Sequence, residues 1–385
     1  MLNALFLKGA LFCLLSRIHF RYLTARDRFF AILTRLFSAK RNFRSSSDNL
    51  NIAWIVADHL EKKCLKLEHL QEVLRMRVTK NALWINEHHQ KVKNEMYDCA
   101  KEYDIVIFFK AMGRLYQEEA KKIKSHGGKV IFDANVNYYE TWGEFNTFSN
   151  KPTLEQQKDA VVMTSIADLC VGDSTRLCEM VRKYNNRTYW IPDNVDVEVF
   201  RFVRKHGPVQ PVRLVWSGIS FKADHLLLLE NIFPKLKNVE LILVSDRTPP
   251  VMKKLAPLVK CHYIPYSDLG YARILSKCDI IISPKRLINS YEIAHTEYKI
   301  TLGMAAGLPA VASPQQSYIE AVSHNGGGLI ASTCEEWFVA LDSLIKDDKL
   351  REDMGKKARQ TVLDRYSTSV VAEKYYQVIK ECLPG

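Results

Sequence analysis

Residues 104–133, DIVIFFKAMGRLYQEEAKKIKSHGGKVIFD, decide the architecture. Asp104–Phe109 is a short continuous apolar run, the signature of a strand covered on both faces of a parallel sheet. Leu115–Ser125 reads as a helix. Gly127-Gly128 follow where a helix end calls for left-handed backbone, and Lys129–Asp133 is again a strand. Strand, helix and strand in this order make a βαβ unit.

The same alternation extends in both directions. Upstream, Asn51–Ala57 (NIAWIVA) reads as a buried strand, followed by a charged helical stretch over 60–77. Ala82–Ile85 then reads as a strand and Val92–Glu102 as helical. Downstream, a helix over Gln156–Ser165, a strand over Ala167–Gly172, a helix over Ser174–Tyr184 and a strand over Thr188–Pro192 complete one half. The periodicity lapses between Asp193 and Pro211, where Gly207, Pro208 and Pro211 break any regular element. It resumes with strands at Arg213–Ser217, Val239–Val244, Cys261–Pro265, Asp279–Ser283, Pro309–Ala312 and Gly328–Ala331. Between them fall helices at Asp224–Leu236, Pro250–Leu258, Leu269–Ser276, Glu297–Ala306 and Tyr318–Ser323. Helices over Cys334–Lys346, Lys349–Arg365 and Thr368–Glu381 close the chain. The expected fold class is α/β, with two tandem Rossmann-like doubly wound domains facing across a cleft. The expected division is an amphipathic arm at 1–48, domains at 49–200 and 201–365, and a final helix at 366–385 packing back on the first domain. Such sheets bind ligands at the carboxyl ends of their strands.

Composition narrows the function classes. At 385 residues, with 47% hydrophobic and 25% charged, the chain suits two folded domains and neither disorder nor a multi-span membrane protein. The net charge of +12 is concentrated before Ser45, where nine lysines and arginines face only Asp27 and alternate with apolar residues. That pattern is either a solvated tail or a surface that lies on anionic lipid. The apolar run Ala4–Leu15 is interrupted by Lys8 and is shorter than a spanning helix, and it lacks the features of a secretory signal. No nucleic-acid-binding motif is present. Nine scattered cysteines, never C-x-x-C, read as reduced core thiols and give neither a disulfide frame nor a metal site. The expected location is cytoplasmic, with peripheral contact at the inner membrane face.

Neither G-x-G-x-x-G after a strand nor a P-loop occurs, so phosphate must be held another way. Three segments at carboxyl ends of strands in the second half offer cations and backbone N–H groups. The segment His295-Thr296-Glu297-Tyr298-Lys299 opens a helix, where unpaired N–H groups and the macrodipole favour an anion; Thr296 alone is also a natural N-cap. Ser217-Gly218 leads to Lys222, with Gly218 permitting close backbone approach, and Lys285-Arg286 follow the strand Asp279–Ser283. On the first half, Asp58 and His59 end the first strand, and Asp133, Asn135 and Asn137 follow the KVIF strand. These are either turn residues or partners for an incoming hydroxyl, including a base.

The second half resembles the nucleotide-sugar-binding domain of retaining glycosyltransferases of family 4, with the two-domain GT-B fold. The resemblance is carried by Ile191-Pro192-Asp193-Asn194-Val195-Asp196 with Phe200, by Val215-Trp216-Ser217-Gly218, by Cys278–Pro284, and by Lys299 leading into Met304–Ser313. It implies transfer of a sugar from a nucleoside diphosphate donor to a glycan or lipid-linked acceptor, with retention, without metal and without a cofactor, in polysaccharide biosynthesis. It implies that the 49–200 domain takes the acceptor. Ser217, Gly218, Lys222, Lys285, Arg286, Thr296, Glu297, Tyr298 and Lys299 are the expected donor-binding residues, and Asp58, His59 and Asp133 the expected catalytic ones. Two positions depart from the family. Leu302 stands where a ribose-binding glutamate is usual, leaving Glu292 or Glu297 as replacements, and Val56-Ala57-Asp58-His59 replaces a glycine-rich turn. Leu302 keeps open the alternative of a catalytically silent paralogue acting as a binding subunit.

Overall fold

The computed structural model describes residues 49–383, apart from 58–59, 61–65, 68–69, 71–73, 146–150, 202, 206 and 209–210. The 1–48 arm and the expected catalytic residues Asp58 and His59 therefore lie outside the described residues.

The first domain runs β1 (Leu50–Val56), α1 (Lys80–His88), β2 (Val92–Met96), β3 (Ile105–Phe109), α2 (Arg114–Ser125), β4 (Lys129–Asp133), α3 (Leu154–Ile166), β5 (Leu169–Gly172), α4 (Thr175–Arg182) and β6 (Thr188–Trp190). Its six strands are ordered β2-β1-β3-β4-β5-β6, and every pairing is parallel. β3 is buried at all five positions, as its unbroken apolar run requires. After α2, Gly127 adopts φ 91° and the Gly128 N–H returns to the Ile123 carbonyl at 3.1 Å, which closes the helix.

The second domain runs β7 (Val212–Ser217), β8 (Val239–Ser245), α5 (Met252–Leu255), β9 (Lys260–Pro265), α6 (Asp268–Leu275), β10 (Ile280–Ser283), α7 (Ser290–Ile293), α8 (Tyr298–Ala305), β11 (Ala310–Ala312), α9 (Gln316–Ser323), β12 (Gly328–Ile330), α10 (Cys334–Lys346) and α11 (Asp348–Arg365). Its sheet is likewise all parallel, in the order β12-β11-β10-β7-β8-β9. The last helix, α12 (Thr368–Lys380), packs on the first domain: Val371, Ala372, Tyr375, Val378 and Ile379 share a core with Ile52 and Trp54. The chain thus crosses between the domains twice at one place, where Val195 donates to the Tyr366 carbonyl at 2.6 Å and Thr368 to the Val195 carbonyl at 3.1 Å.

Three local expectations are corrected. Ala82–Ile85 lies inside α1, because Val78, Ala82 and Ile85 bury one helical face. Val92–Met96 is an edge strand, its alternation of buried Val92, Asn94 and Met96 being the strand period. The stretch read as a helix over Asp224–Leu236 forms 3-10 turns at Ser220–Leu229 and Phe233–Lys235, the second carrying Pro234 at its start.

α8 lies so close to the sheet that a Cβ on Gly303 would sit 2.6 Å from the Ile281 Cβ on β10. Gly303→Ala forces these two elements apart, and a loss of about 1–3 kcal/mol is expected in chemical denaturation, with the secondary structure retained.

Candidate active site

The carboxyl ends of β7 and β10 and the start of α8 bring three lysines together. Gly218 ends β7 with φ 154°, and a Cβ there would stand 3.0 Å from Lys299 Nζ and 3.1 Å from the Trp216 ring. Its hydrogen side chain is what lets Lys299 lie along that strand end, with Nζ 4.7 Å from the Trp216 ring centre. Lys222 reaches in from the turn after β7, its Nζ 3.4 Å from the Tyr291 hydroxyl and 4.8 Å from that ring's centre. Lys285, just past β10, is buried, with Nζ 2.6 Å from Gln315 Oε1, 3.6 Å from Glu292 Oε2 and 4.9 Å from the Tyr318 ring centre.

The electrostatics record an excess of positive charge. Burial, then Lys285 and Lys222, push the Lys299 ammonium down to about 7. Lys222 and Lys285 are also lowered by burial, and His295 is held well below its ordinary range by burial and then by Lys285 and Lys222. Burial would raise the Glu292 carboxyl, yet His225 and Lys285 hold it well below the ordinary carboxylate range. One carboxylate beside three lysines leaves the cluster short of negative charge, and a bound anion would relieve it.

Beside the lysines a cavity of about 400 Å3 opens between the domains, with Phe145 of the first domain facing Phe221, His225 and Arg286 of the second. Arg286 is exposed, and its backbone N–H donates to His225 Nδ1 at 3.2 Å, which leaves the His225 proton on Nε2, 3.9 Å from Glu292. The domains meet along α7 and the residues after it. Ser174 Oγ donates to the Ala294 carbonyl at 2.7 Å, Asn137 Nδ2 to the Ser290 carbonyl at 2.9 Å, and Asn289 Nδ2 to the Glu144 carbonyl at 2.7 Å.

Not every expected residue joins the lysines. Ser217 Oγ is buried against the Tyr271 hydroxyl at 2.5 Å. Thr296 is not the N-cap of α8, a place held by Glu297, although its hydroxyl accepts from the Tyr298 N–H at 3.3 Å. Glu297 is 1% exposed, and burial followed by Asp193 and Asp173 raises its carboxyl well above the usual range. Tyr366 is among its neighbours. Leu302 packs against the core of the second domain.

Asp133 is fully buried and faces no opening. Arg77 Nε and Nη2 donate to its two oxygens at 3.0 and 3.1 Å, and the Tyr375 hydroxyl adds a bond at 3.1 Å. The same guanidinium reaches Asp193 at 3.4 Å. Of this charge network and the Asn135, Asp173 and Lys110 around it, the sequence singled out Asp133 and Asn135 as candidate partners for an acceptor hydroxyl, and not Arg77, Asp173 or Lys110.

Residues 211–347 match the family model described as glycosyl transferases group 1. No curated protein matches the chain in sequence. Among solved structures, the chain is similar to HepE of Anabaena in complex with UDP, at 13% identity and TM-score 0.61, covering 86% of this chain and 100% of that one. It is similar to a glycosyltransferase from Rickettsia africae, at 15% identity and TM-score 0.60, covering 88% and 99%. TarM is matched at 13% identity and TM-score 0.55 over 77% of this chain, which spans 58% of TarM's length. The fold is therefore GT-B, and residues 211–347 are similar to the glycosyl transferases of group 1.

Proposed function

We propose that this protein is an active transferase that moves a sugar from a nucleoside diphosphate donor to a hydroxyl of a glycan or lipid-linked acceptor, with retention and without a metal. The observation that carries the reading is the cluster of Lys222, Lys285 and Lys299 at the carboxyl ends of β7 and β10, with Glu292 the carboxylate that offsets it. Charge grows on the departing diphosphate, so cations fixed in advance favour the transition state over the bound donor. Lys222 and Lys299 hold the diphosphate and Lys285 supports them, with Gly218 giving the close approach. The cavity between Phe145 and Phe221 receives a sugar ring. HepE, a structural relative, is known with UDP and with UDP-glucose, which supports a uridine diphosphate donor.

No helix among the described residues is long and apolar enough to cross a membrane. The charge and apolar pattern of residues 1–48 supports peripheral contact with an anionic membrane at the cytoplasmic face.

The reading is tested by calorimetric titration of the full chain with a panel of nucleotide-sugars, followed by assay of nucleotide release. Binding with release is expected from at least one donor. Binding without release would favour a silent binding subunit, a reading to which Leu302 points, and no binding to any donor would remove the transferase reading.

A further inference from the structure

Lys222 reaches the donor site from a turn, and among the described residues its ammonium forms no ion pair. Its polar contact is the Tyr291 hydroxyl at 3.4 Å, with the centre of that ring at 4.8 Å. A lysine side chain left to itself samples many rotamers, and fixing them when an anion arrives weakens binding. The face and hydroxyl of Tyr291 impose that order beforehand. The His295 ring meets the Tyr291 ring edge-on, 5.2 Å away, and steadies it. Tyr291 is itself fixed from the first domain. Trp142-Gly143-Glu144 pairs with Ile288-Asn289-Ser290 as a short antiparallel bridge, the Glu144 N–H donating to the Ile288 carbonyl at 3.2 Å and the Ser290 N–H to the Trp142 carbonyl at 3.1 Å. Gly143 makes this possible, because its φ is 85° and a Cβ there would collide with the Ile288 carbonyl. Ser290 Oγ donates to the Glu140 carbonyl at 2.8 Å. Asn289 holds the Glu144 carbonyl with its amide nitrogen, while its amide oxygen caps α7 at the Glu292 N–H, 2.8 Å away. Tyr291 comes next in the chain, on a helix of four residues, too short to keep its own orientation.

We propose that Tyr291 is a positioning residue of the donor site, holding the Lys222 ammonium for the diphosphate, and that the first-domain segment 140–144 holds Tyr291 in place. Donor affinity then depends on the bridge between Gly143 and Asn289, although no residue of that bridge is asked to touch the diphosphate. A lysine cluster built by the second domain alone would have no such dependence. The assignment rests on the donor reading above.

The test is a double-mutant cycle on the full chain, read by calorimetry with UDP-glucose, or with another nucleotide-sugar of the panel should that one bind instead. Tyr291→Phe keeps the ring and its volume and is expected to weaken binding about 3-fold, and Tyr291→Leu, which removes ring and hydroxyl, about 30-fold. Lys222→Met takes away the charge through which Tyr291 acts, so in that background Tyr291→Leu is expected to add less than about 2-fold. Gly143→Ala is expected to weaken binding about 5-fold in the wild-type background and to add little in the Tyr291→Leu background. A Tyr291→Leu protein that binds like the wild type, or a loss of equal size with and without Lys222, would overturn the positioning role. A Gly143→Ala protein of wild-type affinity would overturn the part given to the first domain. A wild type that binds no nucleotide-sugar would instead remove the donor reading, and the role of Tyr291 with it.

Discussion

Lys299→Met is expected to weaken UDP-glucose binding by about 10- to 100-fold, the worth of a charge-assisted hydrogen bond of about 1.5–3 kcal/mol. Lys299 sits on the first turn of α8, where a cation opposes the helix dipole, and against the Trp216 ring, where it is drawn out of water. Burial and the two neighbouring lysines lower it to about 7. A bound diphosphate favours the charged ammonium and so raises that value. Affinity in the wild type is therefore full below pH 7 and declines as pH rises through and beyond it, because binding must then take up a proton. The diphosphate of a nucleotide-sugar is a diester whose charge is constant over this range, so the pH dependence belongs to the protein. Calorimetry at several pH values reads both effects: the variant is expected to be weaker and nearly flat with pH. A variant that keeps the wild-type affinity and pH slope would remove Lys299 from the site.

Arg77→Met carries the largest expected loss of stability. Arg77 is 1% exposed and holds Asp133 through two bonds, Asp193 through a third contact and the Ile191 carbonyl at 2.6 Å. Asp133 in turn anchors Tyr375 of α12, so the guanidinium joins β4, the interdomain segment and the returning helix. Removing it leaves two buried carboxylates without their cation, a loss of about 3–5 kcal/mol. Burial already raises the Asp193 carboxyl and Arg77 opposes that, so in the variant it is raised further above its unfolded value. Its penalty is therefore complete at neutral pH and relieved as pH falls and it protonates. Denaturant titrations at two pH values are expected to show a deficit that shrinks in acid. A deficit independent of pH would mean that lost packing, and not unpaired charge, is responsible.

The sequence announces the sheets because strands buried on both faces leave continuous apolar runs such as Ile105–Phe109 and Ile280–Ser283. It conceals elements covered on one side only. The edge strand Val92–Met96 alternates over five residues and lacks the apolar run of its neighbours. The leucine-rich stretch before Pro234 has no periodicity that distinguishes 3-10 turns from an α-helix. The lysines were legible because Lys222 and Lys285 follow strands whose parallel order brings their ends to one edge, and Lys299 opens a helix. Arg77 and Asp173 were not, nor was the buried pairing of Asp133, because these partners are set by the tertiary fold: Arg77 meets Asp133 across 56 residues and Asp193 across 116. The position of Asp58 and His59 was read from strand order as well, and they lie outside the described residues.

The most direct test of the proposed donor site is a crystal structure of the protein with UDP. The diphosphate is expected beside Gly218, with Lys222 and Lys299 in hydrogen-bond contact and Lys285 behind them. A diphosphate bound elsewhere, for instance in the basic groove near Lys205 and Lys356 on α11, with the three lysines untouched, would contradict the assignment.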